Sequence, residues 1–173
     1  MTYNLHPIFV HFPIALLFLY SVIKILPLKT WFPKIAWRDI ERALLFFGVL
    51  GAFAALATGD TAENLVHPNR QLVNAHSNFA AVATWLYGAL LFGEIAAFLN
   101  VFYGTQNKKY KFISTTLVFI EKVLCNRIFS TVIAFIALVM ISITGLLGGV
   151  IAYGVTADPF SSVVLKLLGI TYP

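Results

Sequence analysis

Along the chain, long apolar runs alternate with shorter stretches where charge collects. Four runs are long enough to cross a bilayer, at about residues 8–26, 43–59, 77–102 and 128–155. A hydrocarbon core of about 30 Å needs roughly 20 largely apolar residues per helix. The core helix of a soluble bundle would carry a polar stripe, whereas residues 46–58 and 131–143 hold no charge at all. The pattern predicts an all-α, integral membrane, four-helix bundle on an up-down-up-down path, with residues 1–173 forming a single transmembrane domain. A fifth stretch, 109–126, sets Phe112, Leu117, Val118, Ile120, Val123 and Leu124 among polar residues. It reads either as a helix lying in the membrane interface or as an extension of the fourth span.

Composition agrees with this reading, since 60% of the residues are hydrophobic and 11% charged. The formal net charge is +5, and its placement is informative. Lys24, Lys29, Lys34, Arg38, Arg42, Lys108, Lys109, Lys111, Lys122 and Arg127 lie in the two connections on one side of the membrane. Arg70 and Lys166 lie on the other. The positive-inside bias then puts both connections in the cytoplasm and both termini outside, which in a bacterium is the periplasmic side of the inner membrane. Topology accounts for the basic charge, so no nucleic acid partner is implied, and Trp31 and Trp37 suit an interfacial belt among these charges. Met1 to Leu5 holds no Lys or Arg and Pro13 interrupts the first apolar run, so the first helix is expected to be retained rather than cleaved as a signal peptide. Cys125 is the single cysteine, which excludes an internal disulfide or a cysteine metal cluster.

An alternating path gathers the start of the first and third spans and the end of the second and fourth at one face. All four histidines belong to that face, with Asp60, Glu63, Tyr153 and Asp158. Ionisable side chains confined to one end of a membrane bundle make a site hypothesis by default. The segment HPIFVHFP opens the first span. Pro7, like Pro68, suits a first helical position, where a missing N–H costs nothing. Pro13 lies inside the helix, removes the bond to the Phe9 carbonyl, and is expected to bend the helix one turn from His11.

His11 and His76 sit at similar depth on the first and third spans, which are diagonal partners in a simple bundle. Two imidazoles approaching from opposite sides suit the axial positions of one haem iron. The expectation is therefore a haem b ligated by His11 and His76, with His6 as a supporting or alternative ligand. Small residues would let backbone approach the porphyrin edge: Gly51, Ala55 and Gly59 on the second span, Ser142, Gly145, Gly149 and Ala152 on the fourth, and Ala80 and Ala83 below His76. The same stripes serve ordinary helix packing. A competing reading is a zinc, copper or iron ion held by Asp60, Glu63 and His67, at i, i+3 and i+7, with His76 or His11. Pro68 weakens it, because a residue before proline is pushed out of the helical region. Glu94 is the one acid well inside a span, and Arg42 or Lys24 is its expected partner. No nucleophile triad, phosphate-cradling glycine loop or acid–base pair is present, so catalysis has no direct support.

LHPIFVHFPIALL, the TGDTAENLV segment followed by His76, and LLGGVIAYGV near the end resemble the bacterial membrane family called domain of unknown function 2231. The ending GGVIAY is similar to that family's GGxLVY, with Ala152 where a valine is usual. The resemblance implies a four-helix membrane domain whose characteristic positions match His6, His11 and His76, and it implies no established activity. His67 is not among those positions, which argues against a second haem built from His6 and His67. Three expectations follow: a small b-type cytochrome subunit passing electrons to a redox partner, a non-haem metal protein, or a structural subunit of a larger assembly or homo-oligomer.

Overall fold

A computed structural model describes residues 6–66, 69–103 and 111–170. Among them the regular structure is helical, in the order α1 (His6–Ile25), α2 (Leu28–Trp31), α3 (Trp37–Val66), α4 (Arg70–Tyr103), α5 (Lys111–Leu124), α6 (Arg127–Tyr153) and α7 (Ser161–Leu167). α1, α3, α4 and α6 are each long and apolar enough to cross a membrane, and the chain is a multi-pass membrane protein. α1 packs chiefly on α3 and α4 on α6, while α3 against α4 and α1 against α6 close the ring. The diagonal helices α1 and α4 meet at the bundle axis, where the Ser21 and Tyr87 hydroxyls are 2.7 Å apart. The Tyr20 and Tyr87 rings meet edge to face there at 6.1 Å.

Close approach of α1 and α3 depends on glycine. A Cβ on Gly48 would stand 2.6 Å from the Leu17 side chain, and one on Gly51 would stand 3.2 Å from the Pro13 ring. Removing those carbons lets the backbones approach, which is how membrane helices gain dispersion contacts without a hydrophobic drive. Leu17, Leu45, Val49, Ala83, Tyr87, Ala134 and Ala137 fill the centre. The Pro13 ring therefore acts as a packing surface inside a helix that continues past it.

The helices outrun the expected spans. The second runs from Trp37 to Val66 rather than 43–59, and the third starts at Arg70 rather than at 77. Hydropathy marks where the lipid-like stretch ends, but backbone hydrogen bonding continues through polar residues such as Asp39, Glu41 and Asn74. The first and fourth differ by a residue or two, as helix ends commonly do. The stretch 109–126 is not an extension of the fourth span. Asn126 leaves the helical region and its side chain accepts from the backbone N–H of Ile128 and Phe129, so it caps α6 and separates it from α5. α5 is fastened to α4, with Asn100 Nδ2 donating to Glu121 Oε2 at 2.8 Å and Leu124 lying over Gly93. After α6 the chain turns at Gly154, whose φ of 84° suits a residue without Cβ. α7, which hydropathy did not reveal, then packs Leu165 on Leu72, Leu147 and Val150, with Ile170 just beyond it joining the same cluster.

Two polar layers bracket the apolar slab. Eighteen positions separate His6 from Lys24, and eighteen separate His76 from Glu94. At ~1.5 Å per residue this is about 27 Å, and it returns each pair to the same helix face. At the basic end, Arg42 Nε donates to Glu94 Oε2 at 2.8 Å, the pairing expected for Glu94. Glu41, its side chain 6% exposed, lies between Lys24 at 3.6 Å and Lys29 at 2.8 Å. The Lys29 contact is a charge contact rather than an aligned hydrogen bond. Arg42→Met strands Glu94 without its cation and is expected to lower stability by about 1–3 kcal/mol, below the penalty for a fully buried pair because both groups keep some exposure. Glu94→Met in the same chain should recover most of the loss, and thermal unfolding in detergent of the parent, both single variants and the double variant measures the coupling.

Candidate functional site

The histidine end is built from the starts of α1 and α4 and the ends of α3 and α6. His6 opens α1, and its Nδ1 lies 3.0 Å from Thr58 Oγ1 on α3. Thr58 spends its single hydroxyl proton on the Ala55 carbonyl at 3.0 Å. The Ala55 carbonyl also lies within hydrogen-bond reach of the His6 ring, so α3 presents this imidazole with two oxygens. Gly59 leaves room beside the ring, since a Cβ there would be 4.0 Å from His6 Cε1.

His76 repeats the arrangement on the diagonal helix. Its Nδ1 is 3.0 Å from the Thr144 carbonyl oxygen on α6, an atom that can only accept, so Nδ1 carries the proton. The Thr144 hydroxyl is turned along its own helix to the Met140 carbonyl. Gly148 makes the approach possible, because a Cβ there would be 3.1 Å from His76 Cε1. The two imidazoles are within electrostatic reach of one another. In a neutral His76 ring Nδ1–H is fixed by a carbonyl oxygen of a neighbouring helix, and the lone pair then sits on Nε2, the tautomer that suits metal ligation.

The structure thus divides the expected residues. His76 faces into the bundle, but His11 is exposed, on the same outward stripe of α1 as Ile8, Phe12, Ala15 and Leu19. Five positions turn the helix by about 140° from His6, so with His6 packed on α3, His11 lies away from it. On α1 the imidazole turned toward a neighbouring helix is that of His6. Of the glycines expected at a cofactor edge, Gly51 is covered by Pro13, and Gly145 has nothing within 4 Å of where its Cβ would be. Gly149 is half-buried. The glycine beside an imidazole is Gly148, which a stripe drawn through Gly145 and Gly149 passes over. The signal that finds it is the paired glycines of GLLGG, where a neighbour differs by about 100° in direction.

The expected ion site of Asp60, Glu63 and His67 falls largely outside the described residues. Glu63 is exposed, and His67 and the side chain of Asp60 lie outside the described residues. Among the described residues no group of three or more His, Cys, Asp or Glu is placed to hold a metal ion. Asp158 accepts from the backbone N–H of Phe160 at 2.7 Å and shapes the turn into α7. Cys125 belongs to the basic end. Burial, and then the charges of Glu94 and Glu121, push its thiol above the ordinary value, so it stays protonated.

Two outcomes follow. Burial holds His6 below the ordinary imidazole value, against a smaller opposing effect of the Ala55 carbonyl. The unfolded chain then binds a proton that the folded ring resists, so stability should fall as pH drops through the ordinary histidine range. His6→Asn should blunt that fall, as measured by detergent unfolding between pH 7 and 5. Gly148→Ala should push the His76 ring off Thr144, and ¹⁵N spectra of the imidazoles should show the Nδ1–H signal of His76 losing its hydrogen-bond shift while the His6 signals stay in place.

Residues 2–158 match the model of a family described as a predicted membrane protein, DUF2231. No curated protein matches the chain, and no solved structure does. The match spans the four membrane helices and both histidines of the layer, and the chain belongs to the DUF2231 family.

Proposed function

We propose that the protein is a small b-type cytochrome subunit of the bacterial inner membrane, holding one haem between His6 and His76 and passing electrons to a redox partner in or on the membrane. The observation that carries this reading is the pair of diagonal imidazoles, each with Nδ1 held against an oxygen of a neighbouring helix. Two such ligands complete the coordination of an iron whose other four donors come from a porphyrin. A bare zinc, copper or iron ion needs more protein ligands than two, and no described group offers three. Haem, when bound, supplies one-electron chemistry. His6, beside Thr58, and His76, held by the Thr144 carbonyl, would be the residues that hold it, and their apolar surroundings would favour the less charged oxidation state.

The basic end faces the cytoplasm on this reading, by the same charge bias that places the connections there. The haem then lies toward the periplasmic face, within reach of a partner on that side. Protein expressed with added haem precursor and purified in detergent should show a reduced-minus-oxidised α-band. His6→Ala and His76→Ala should each abolish it, and His11→Ala should leave it. A colourless preparation overturns the proposal. A band lost in His11→Ala but kept in His6→Ala overturns the ligand assignment.

A further inference from the structure

At the basic end, acids and bases point in opposite directions. Glu41 and Glu94 are turned into the bundle and held by Lys24, Lys29 and Arg42, and Glu121 is half-buried against Asn100. Lys34, Arg38, Lys122 and Arg127 are exposed, and no ion pair among the described residues involves them. Asp39 is the exposed acid in their midst. Internal pairing therefore consumes the anions and leaves an outward positive field.

Apolar side chains stand among these bases. Trp31 is 59% exposed and Phe32 53%, on the connection that Trp37 Nε1–H pins by donating to the Phe32 carbonyl at 2.9 Å. On the other flank Phe119 of α5 is 67% exposed, one turn from Lys122. A leaflet takes up aromatic ring and base together, the ring beside the acyl chains and the base at the phosphates. Depth agrees. Arg38 precedes Arg42 by four positions on α3, which sets it about 6 Å beyond the ion-pair layer. With that layer at the hydrocarbon edge, Arg38 reaches the level of the lipid phosphates.

We infer that Lys34 and Arg38 on one arm, and Lys122 and Arg127 on the other, seat the phosphate headgroups of anionic phospholipids, with Trp31, Phe32 and Phe119 inserted beside the acyl chains. The bilayer is not a uniform solvent here. The protein gathers anionic lipid around one end, and the connection between α1 and α3 and the helix α5 are both steadied by it.

The test uses the full chain in nanodiscs of phosphatidylcholine alone or mixed with phosphatidylglycerol. Anionic lipid should raise the Tm, and phosphatidylglycerol should be enriched over phosphatidylcholine in the lipid retained after detergent extraction. Both effects should shrink at 1 M salt, where the screening length is about 3 Å. Lys34→Gln/Arg38→Gln/Lys122→Gln should keep the parent Tm in neutral lipid and lose the increment, with enrichment reduced several-fold. Equal Tm and no enrichment in the parent overturn the inference, as does a triple variant that keeps both effects. If inorganic phosphate without anionic lipid gives the same rise, lipid is not the ligand. Should the triple variant fail to fold, the parent's lipid and salt dependence decides alone.

Discussion

Hydrocarbon offers a polar group nothing to bond with, and that constraint orders the molecule. Each hydroxyl and charge held in the bundle has to find its partner in protein. Thr84, Ser142 and Thr144 turn their hydroxyls back to carbonyls one turn earlier in their own helices, Ser21 meets Tyr87 across the axis, and Glu94 meets Arg42. What cannot be satisfied this way is moved to the two ends, five turns apart. The histidine layer and the ion-pair layer are the boundaries of a slab whose interior admits only self-sufficient polar groups.

Within that slab, small residues decide how close the helices come, and the choice of position matters more than the number of glycines. Gly48 and Gly51 seat α1 on α3, Gly93 seats α5 on α4, and Gly148 seats an imidazole rather than a helix. Gly148 is therefore where a packing device becomes a site-building device. Thr58 presents its hydroxyl oxygen to His6, and Thr144 presents its backbone carbonyl to His76. The same economy explains why two imidazoles stand at this end without a third ligand beside them among the described residues.

Much of this was legible in the chain. The four spans follow from the length of the apolar runs, and their common polar ends follow from an alternating path. The Arg42–Glu94 pair follows from the high cost of an isolated acid in a span. The histidine of α1 did not follow. Its apolar residues surround the helix on every side, so no polar stripe reveals which face turns inward, and the choice between His6 and His11 rests on a rotation that only packing against α3 sets. Gly148 was missed for the same reason, since one position shifts direction by about 100°. The extended ends of α3 and α4, and α7 with its glycine turns, lie outside what hydropathy measures. The break between α5 and α6 was written in Asn126, a strong capping residue, but the apolar side chains of Val123, Leu124, Ile128 and Phe129 on either side let the two helices read as one.

The way the ring of helices closes has one more effect. α1 and α3 form one tightly sealed hairpin, α4 and α6 another, and each contributes a single imidazole. Neither half owns a site. Anything that grips both rings recognises the docked arrangement alone and must favour it over separated hairpins by mass action. A guest gripped by both rings would thereby convert occupancy at the rim into cohesion between halves and serve as the molecule's keystone.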